Sequence, residues 1–334
     1  MSRAAPELLA DHRRNSYQVA PQFPRLTRTL LTLHEGAIPT AHVACKRATI
    51  QASVIALLRR QPLISFFVIA FAWTWAFVIV FLILLPLPDI IVRTTPGDLG
   101  PLIAAIVMSA VVAGRTGLKQ LFKRMVQWRV GPAWYAFALI GMPLLYFASI
   151  AVVPGALGSF KAPDLTTVLL YPVFYIVLLA IGGPLTEEPG WRGFALPRLQ
   201  QRWGPLVGTV VLGLMWAAWH LPNYFRPDWA AVNGGLSITG IATFAVAAVS
   251  MSTIITWAFN HTRGSILIAI LIHASLNFSQ GLTGELFPAA KNNEVAPVIA
   301  LAVLAAVLAI GTRGRLGYPG LDPAVGVAPA YSMP

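Results

Sequence analysis

The sequence predicts an all-α fold, a polytopic membrane bundle of about eight transmembrane helices. Three observations carry that prediction: too little charge for a water-facing globule, eight long apolar runs, and basic residues that alternate between the segments joining them. The chain has 334 residues, 57% hydrophobic and only 11% charged, with a mean hydropathy of +0.69. A soluble domain carries roughly 25% charged residues. The composition therefore excludes a secreted disulfide-stapled domain and an intrinsically disordered chain. A single cysteine, Cys45, excludes an internal disulfide and any Cys-based metal cage.

The apolar runs fall near Pro62–Leu85, Leu99–Ala113, Ala133–Val153, Leu165–Leu185, Pro205–Pro222, Ile238–Phe259, Ser265–Phe278 and Val295–Ile310. None contains Asp, Glu, Lys or Arg, and Gly, Pro and charge punctuate them. No β-barrel alternation is present. Unsatisfied backbone groups are costly in hydrocarbon, so the runs are expected to be helices.

Charge then sets the orientation. Lys and Arg number 24 against 12 Asp and Glu, a net charge of +12. Twenty of the basic residues precede the first run or follow even-numbered runs; only Arg93, Lys161, Arg226 and Lys291 lie on the other side. Alternation of this kind predicts an integral protein of the cell (inner) membrane with both termini cytoplasmic. Because the basic residues follow loop topology rather than one folded patch, nucleic acid is not an expected partner, whereas the lipid bilayer is.

Three regions are expected. Residues 1–58 read as a disordered basic cytoplasmic tail, with a short interfacial helix over Thr49–Arg60. Residues 59–312 form the transmembrane domain, with a motif core at 183–280, and 313–334 form a flexible C-terminal tail. A signal peptide is not expected, since the first apolar run comes late and is long. No internal repeat is visible, which weakens an inverted-repeat transporter reading.

The costly polar groups cluster in the second half. Glu187, Glu188 and Arg192 follow the fourth run, Trp216 and His220 lie in the fifth, and His273 and Asn277 in the seventh. His273 and Asn277 share one helical face. Glu188 and Arg192 have the same spacing, although Pro189 pushes Glu188 away from helical angles, and a helix starting at Pro189 is the alternative. Each group alone has a plainer reading: an interfacial ion cluster, a satisfied interhelical histidine, packing tryptophans. Together they suggest peptide hydrolysis by activated water. A carboxylate near a His takes the proton, and a second His and an Asn amide stabilise the oxyanion. There is no Ser-His-Asp or Cys-His set and no HExxH helix.

Glu-Glu-x-x-x-Arg, aromatic-x-x-x-His and His-x-x-x-Asn in this order resemble the motifs of the CPBP family, intramembrane proteases related to the CAAX prenyl protease. The resemblance covers roughly Gly183–Gln280, and EEPGWRGFALPRLQ over Glu187–Gln200 looks like a bacterial member. It implies that Glu187 is the general base with His220, that Glu188 supports it, and that His273 and Asn277 form the oxyanion hole. Arg192 would hold the motif helix or a substrate carboxylate, and Trp216 stands where the family usually has Phe. Members are often called metalloproteases. Zn²⁺ is a possible cofactor, with Glu187, Glu188, His220 and His273 as candidate ligands, but no obligatory metal is expected. The expected partner is a peptide or protein substrate; a transporter or a non-catalytic scaffold of the same family are the alternatives.

At 1.5 Å per residue His220 lies roughly 23 Å beyond Pro205, while the Glu pair is expected at the cytoplasmic boundary. The two depths meet if the fourth helix breaks around Gly182–Pro184. A water-filled pocket open to the cytoplasm is expected there.

Overall fold

The computed structural model describes residues 53–85, 96–181 and 183–320. The other residues, which include most of the expected N-terminal tail and the end of the C-terminal one, lie outside the described part. Residues 53–60 are helical, so helix begins before residue 58.

Nine helices of eight or more residues follow among the described residues. They are α1 (Pro62–Ile79), α2 (Gly100–Met125), α3 (Pro132–Ile150), α4 (Leu165–Ile181), α5 (residues 184–203), α6 (Pro205–Trp219), α7 (Ile238–His261), α8 (Ile266–Leu286) and α9 (Val295–Gly311). There is no strand among the described residues. With α4 and α5 counted as one crossing over Leu165–Trp203, seven helices are long and apolar enough to span a bilayer, and the 17-residue α9 is a shorter eighth. The chain is thus a polytopic all-α membrane bundle.

Several helices outrun their apolar stretches. The second run ends at Ala113, yet α2 continues to Met125 through a break at Gly114 (φ 59°, ψ −143°). Lys, Arg and Gln are good helix formers, so loss of apolarity does not end a helix where lipid gives way to water. Likewise α8 runs on from Phe278 to Leu286. Starts are better marked. Pro lies in the first turn of α1 and α6, where its missing N–H costs nothing. Ser237 and Ser265 cap α7 and α8 by accepting from the backbone N–H groups of Gly240 and Ile268.

Two cores hold the bundle. One joins α1, α2, α5 and α6 around an aromatic stack in which Phe66 lies 5.2 Å from Phe194 and Trp191 5.7 Å from Trp219. The other joins α3, α7, α8 and α9 through Ile150, Ile254, Ile268 and Leu301. Helix α4 touches the first core through Leu179 and otherwise carries exposed apolar side chains along its length, as a lipid-facing helix would. The Tyr175 hydroxyl ties it to α8 by donating to the Leu271 carbonyl at 3.2 Å.

Arg124 was counted among the loop charges, and the structure gives it another place. It is buried, and its guanidinium donates to the carbonyls of Gly264, Gly193 and Arg192 at 3.0, 3.2 and 3.3 Å. It clamps the end of α2 to α5 and to the α7–α8 turn. Residues 313–320 run as turns; Leu316 is buried, and Asn260 donates to its carbonyl at 2.9 Å.

Candidate active site

The site begins where α4 gives way to α5. Gly183 has φ +93°, a conformation that side chains rarely adopt, and a Cβ there would strike Glu187 Oε1. The turn at Gly183 is therefore needed twice over, by the backbone and by the carboxylate lying against it. Pro184 opens the helix.

Pro189 does not interrupt it. Glu188 is helical (φ −61°, ψ −34°), as is Pro189 (φ −59°, ψ −32°), so both sequence expectations for Pro189 are corrected. The chain instead widens into a π-helix over Pro189–Ala195. Such turns drop the i→i−4 pattern that a proline cannot complete, and they are frequent at functional sites.

Each glutamate takes a partner four residues on. Glu187 Oε2 accepts from the indole N–H of Trp191 at 3.3 Å and from that of Trp216 on α6 at 2.6 Å. Glu188 Oε1 accepts from Arg192 Nη1 and from His273 Nδ1 on α8, both at 2.9 Å. Arg192 also donates to Ser252 on α7 at 3.1 Å, and its guanidinium lies 5.0 Å from the centre of the Trp216 ring. Glu188 and Arg192 are 0% exposed and Glu187 and His273 only 4% and 3%. Buried charges persist only when paired and hydrogen-bonded, and here four helices contribute to the pairing.

A cavity of about 380 Å³ lies between the two cores. Glu187, Trp216, His220, His273 and Asn277 line it, while Glu188 and Arg192 stand behind its wall. The two glutamates are thereby separated: one faces the space, the other holds a histidine. His220, at the end of α6, donates from Nδ1 to the Trp216 carbonyl at 2.9 Å, because a carbonyl can only accept. Nε2 is then the ring nitrogen left for the cavity. His273 is oriented in the same way by Glu188, and its ring meets Trp216 edge-on at 5.1 Å.

Glu187 is not at the Trp203 end of α5. It lies about 24 Å along α5 from Trp203 by helical rise, level with His220 and its roughly 23 Å. The cavity was expected to open toward the basic loops. Its lining instead includes Arg226, Asn233, exposed Gln280 and Glu294, which belong to the end of the bundle with few basic residues. Burial raises the Glu294 carboxyl above the usual carboxylate range, opposed by the Gly234 backbone N–H.

Sequence reasoning missed Asp98, Asn223 and Trp229, which also line the cavity. For Asp98 the signal was present: an ionisable residue one position outside the second apolar run.

The residues do not fit a bound zinc. Among the described residues no three His, Cys, Asp or Glu side chains converge closely enough to hold a metal ion.

Residues 169–279 match the family model described as type II CAAX prenyl endopeptidase Rce1-like. That segment runs from α4 to α8 and contains every expected site residue. Over this segment the chain is similar to the CPBP/CAAX protease family. It is 33% identical over 122 residues to CAAX prenyl protease 2 of Methanococcus maripaludis. The matched stretch spans 33% of this chain and 40% of that relative. The family model thus matches the core around the cavity; α1, α2, α3 and α9 lie outside residues 169–279.

Proposed function

We propose that this protein is an intramembrane endopeptidase, hydrolysing a peptide bond in a membrane-associated peptide or protein tail. One observation carries the reading. A carboxylate fixed by two indole N–H groups shares a single cavity with two imidazoles and an amide. Similarity over the cavity core to a Methanococcus protein named a CAAX prenyl protease supports the same class of reaction.

In this reading Glu187 takes a proton from a water in the cavity, and the water oxygen bonds to the substrate carbonyl carbon. His220 accepts at Nε2 and helps carry the proton to the departing nitrogen as the C–N bond breaks. His273 and Asn277 donate to the oxyanion; one such donor is worth about 10²-fold in rate. With Nδ1 of His273 held by Glu188, Nε2 is the ring atom turned to the oxyanion. Glu188 and Arg192 are positioning residues here, since neither borders the cavity. The water is activated by side chains alone.

Protein reconstituted into lipid and presented with a peptide library tests the reading. Glu187→Gln is expected to lower turnover at least about 100-fold, His220→Ala comparably, and a chelator to leave it unchanged. Undiminished cleavage by Glu187→Gln would remove this carboxylate from the chemistry.

A further inference from the structure

Asp98 sits in the helical turn before α2, outside the residues that match the family. Its backbone is pinned to α1 at two successive carbonyls. Trp73 Nε1 donates to Pro96 at 2.7 Å and Thr74 Oγ1 to Gly97 at 2.6 Å. The side chain lines the cavity together with Glu187, His220 and Arg226. No hydrogen-bond donor or ion-pair partner meets its carboxylate among the described residues. A carboxylate placed this firmly beside the reacting groups, yet left without a partner, is available to something that enters.

The rest of the lining points to the sign of that visitor. Three carboxylates (Asp98, Glu187 and Glu294) face one guanidinium, Arg226, among the described lining residues. Low-dielectric walls focus such an excess. Next to His220, the Trp229 ring stacks on the imidazole at 5.7 Å and 16°, and Phe244 stands 5.1 Å from Trp229. Aromatic faces beside a carboxylate accept the apolar stem and the cationic head of a lysine or arginine.

We propose that Asp98 is a specificity-determining residue, which makes the cavity select a substrate with a positively charged side chain beside the bond to be cleaved. This rests on the endopeptidase reading above. It concerns recognition alone and changes no step of the hydrolysis.

The test uses the full-length protein in lipid nanodiscs at pH 8. A cleaved peptide is remade with Lys, Nε-acetyl-lysine or Glu next to the scissile bond, each as the free C-terminal acid and the amide. Lys is expected to exceed acetyl-lysine about tenfold in kcat/KM, through KM, with either C-terminus. Asp98→Asn should bring that ratio to about one, Asp98→Glu should restore it, and Asp98→Lys should turn the preference toward Glu. Equal handling of Lys and acetyl-lysine by the wild type overturns the proposal, as does an unchanged ratio in Asp98→Asn. A preference governed by the free C-terminal carboxylate instead would also overturn it. Equilibrium binding of the same peptides to the wild type separates the two readings. Charge-selective binding without cleavage rejects the endopeptidase and keeps Asp98; cleavage without charge preference does the reverse.

Discussion

Trp216 shows what one atom contributes. The family resemblance left an aromatic ring at this position, with Phe usual and Trp here as a matter of packing. The structure gives the indole a second task, because its N–H makes the 2.6 Å bond to Glu187. Trp216→Phe keeps the ring under Arg192 and beside His273 but removes that donor. Turnover is expected to fall about tenfold in kcat with KM little altered, the size of one lost hydrogen bond to a charged group. Steady-state kinetics on a single peptide checks this. The sequence showed which residue types meet at the site, because ionisable groups in lipid are few. It did not distinguish Glu187 from Glu188 physically, since neighbours in a sequence carry no record of which side of a helix becomes a cavity wall. Only partners from α6 and α8 decide that.

At the scale of the element, starts were legible and interiors were not. Pro62, Pro205, Ser237 and Ser265 mark their helices by local chemistry that needs no tertiary contact. Pro189 misled because a proline rule assumes α-helical spacing, whereas the π-turn over Pro189–Ala195 tolerates it. Close approach between helices was equally invisible. A Cβ on Gly213 of α6 would come 2.6 Å from Val249 Cα on α7, where backbone cannot yield as a side-chain tip can. Gly213→Ala is expected to push α6 from α7 and cost about 1–3 kcal/mol. Thermal unfolding in detergent should fall accordingly, and His220, at the end of the displaced helix, should lose activity with it.

For the molecule as a whole, apolar runs and sparse charge were enough for a polytopic helical bundle, with seven helices long and apolar enough to cross among the described residues, since lipid leaves helices few alternatives. Which end of the bundle is hollow was not readable. The pocket was expected beside the basic loops, yet Arg226, Asn233 and Glu294 line it. The charge count therefore predicts a mouth on the non-cytoplasmic side. In a Cys45→Ser background, Asn233→Cys should react with an impermeant maleimide in intact cells. Arg129→Cys, in the basic α2–α3 connection, should react only after permeabilisation. The opposite pattern would turn the bundle over in its membrane.

Helix α4 offers nearly all of its surface outward and reaches the Glu187 segment directly through Gly183. The carboxylate is thus registered against the surrounding acyl chains as well as against its protein neighbours. A bilayer thicker or thinner than α4 is matched to tilts that helix, and the displacement arrives first at Glu187. Lipid thickness becomes, in effect, a dial on where that carboxylate stands in the cavity.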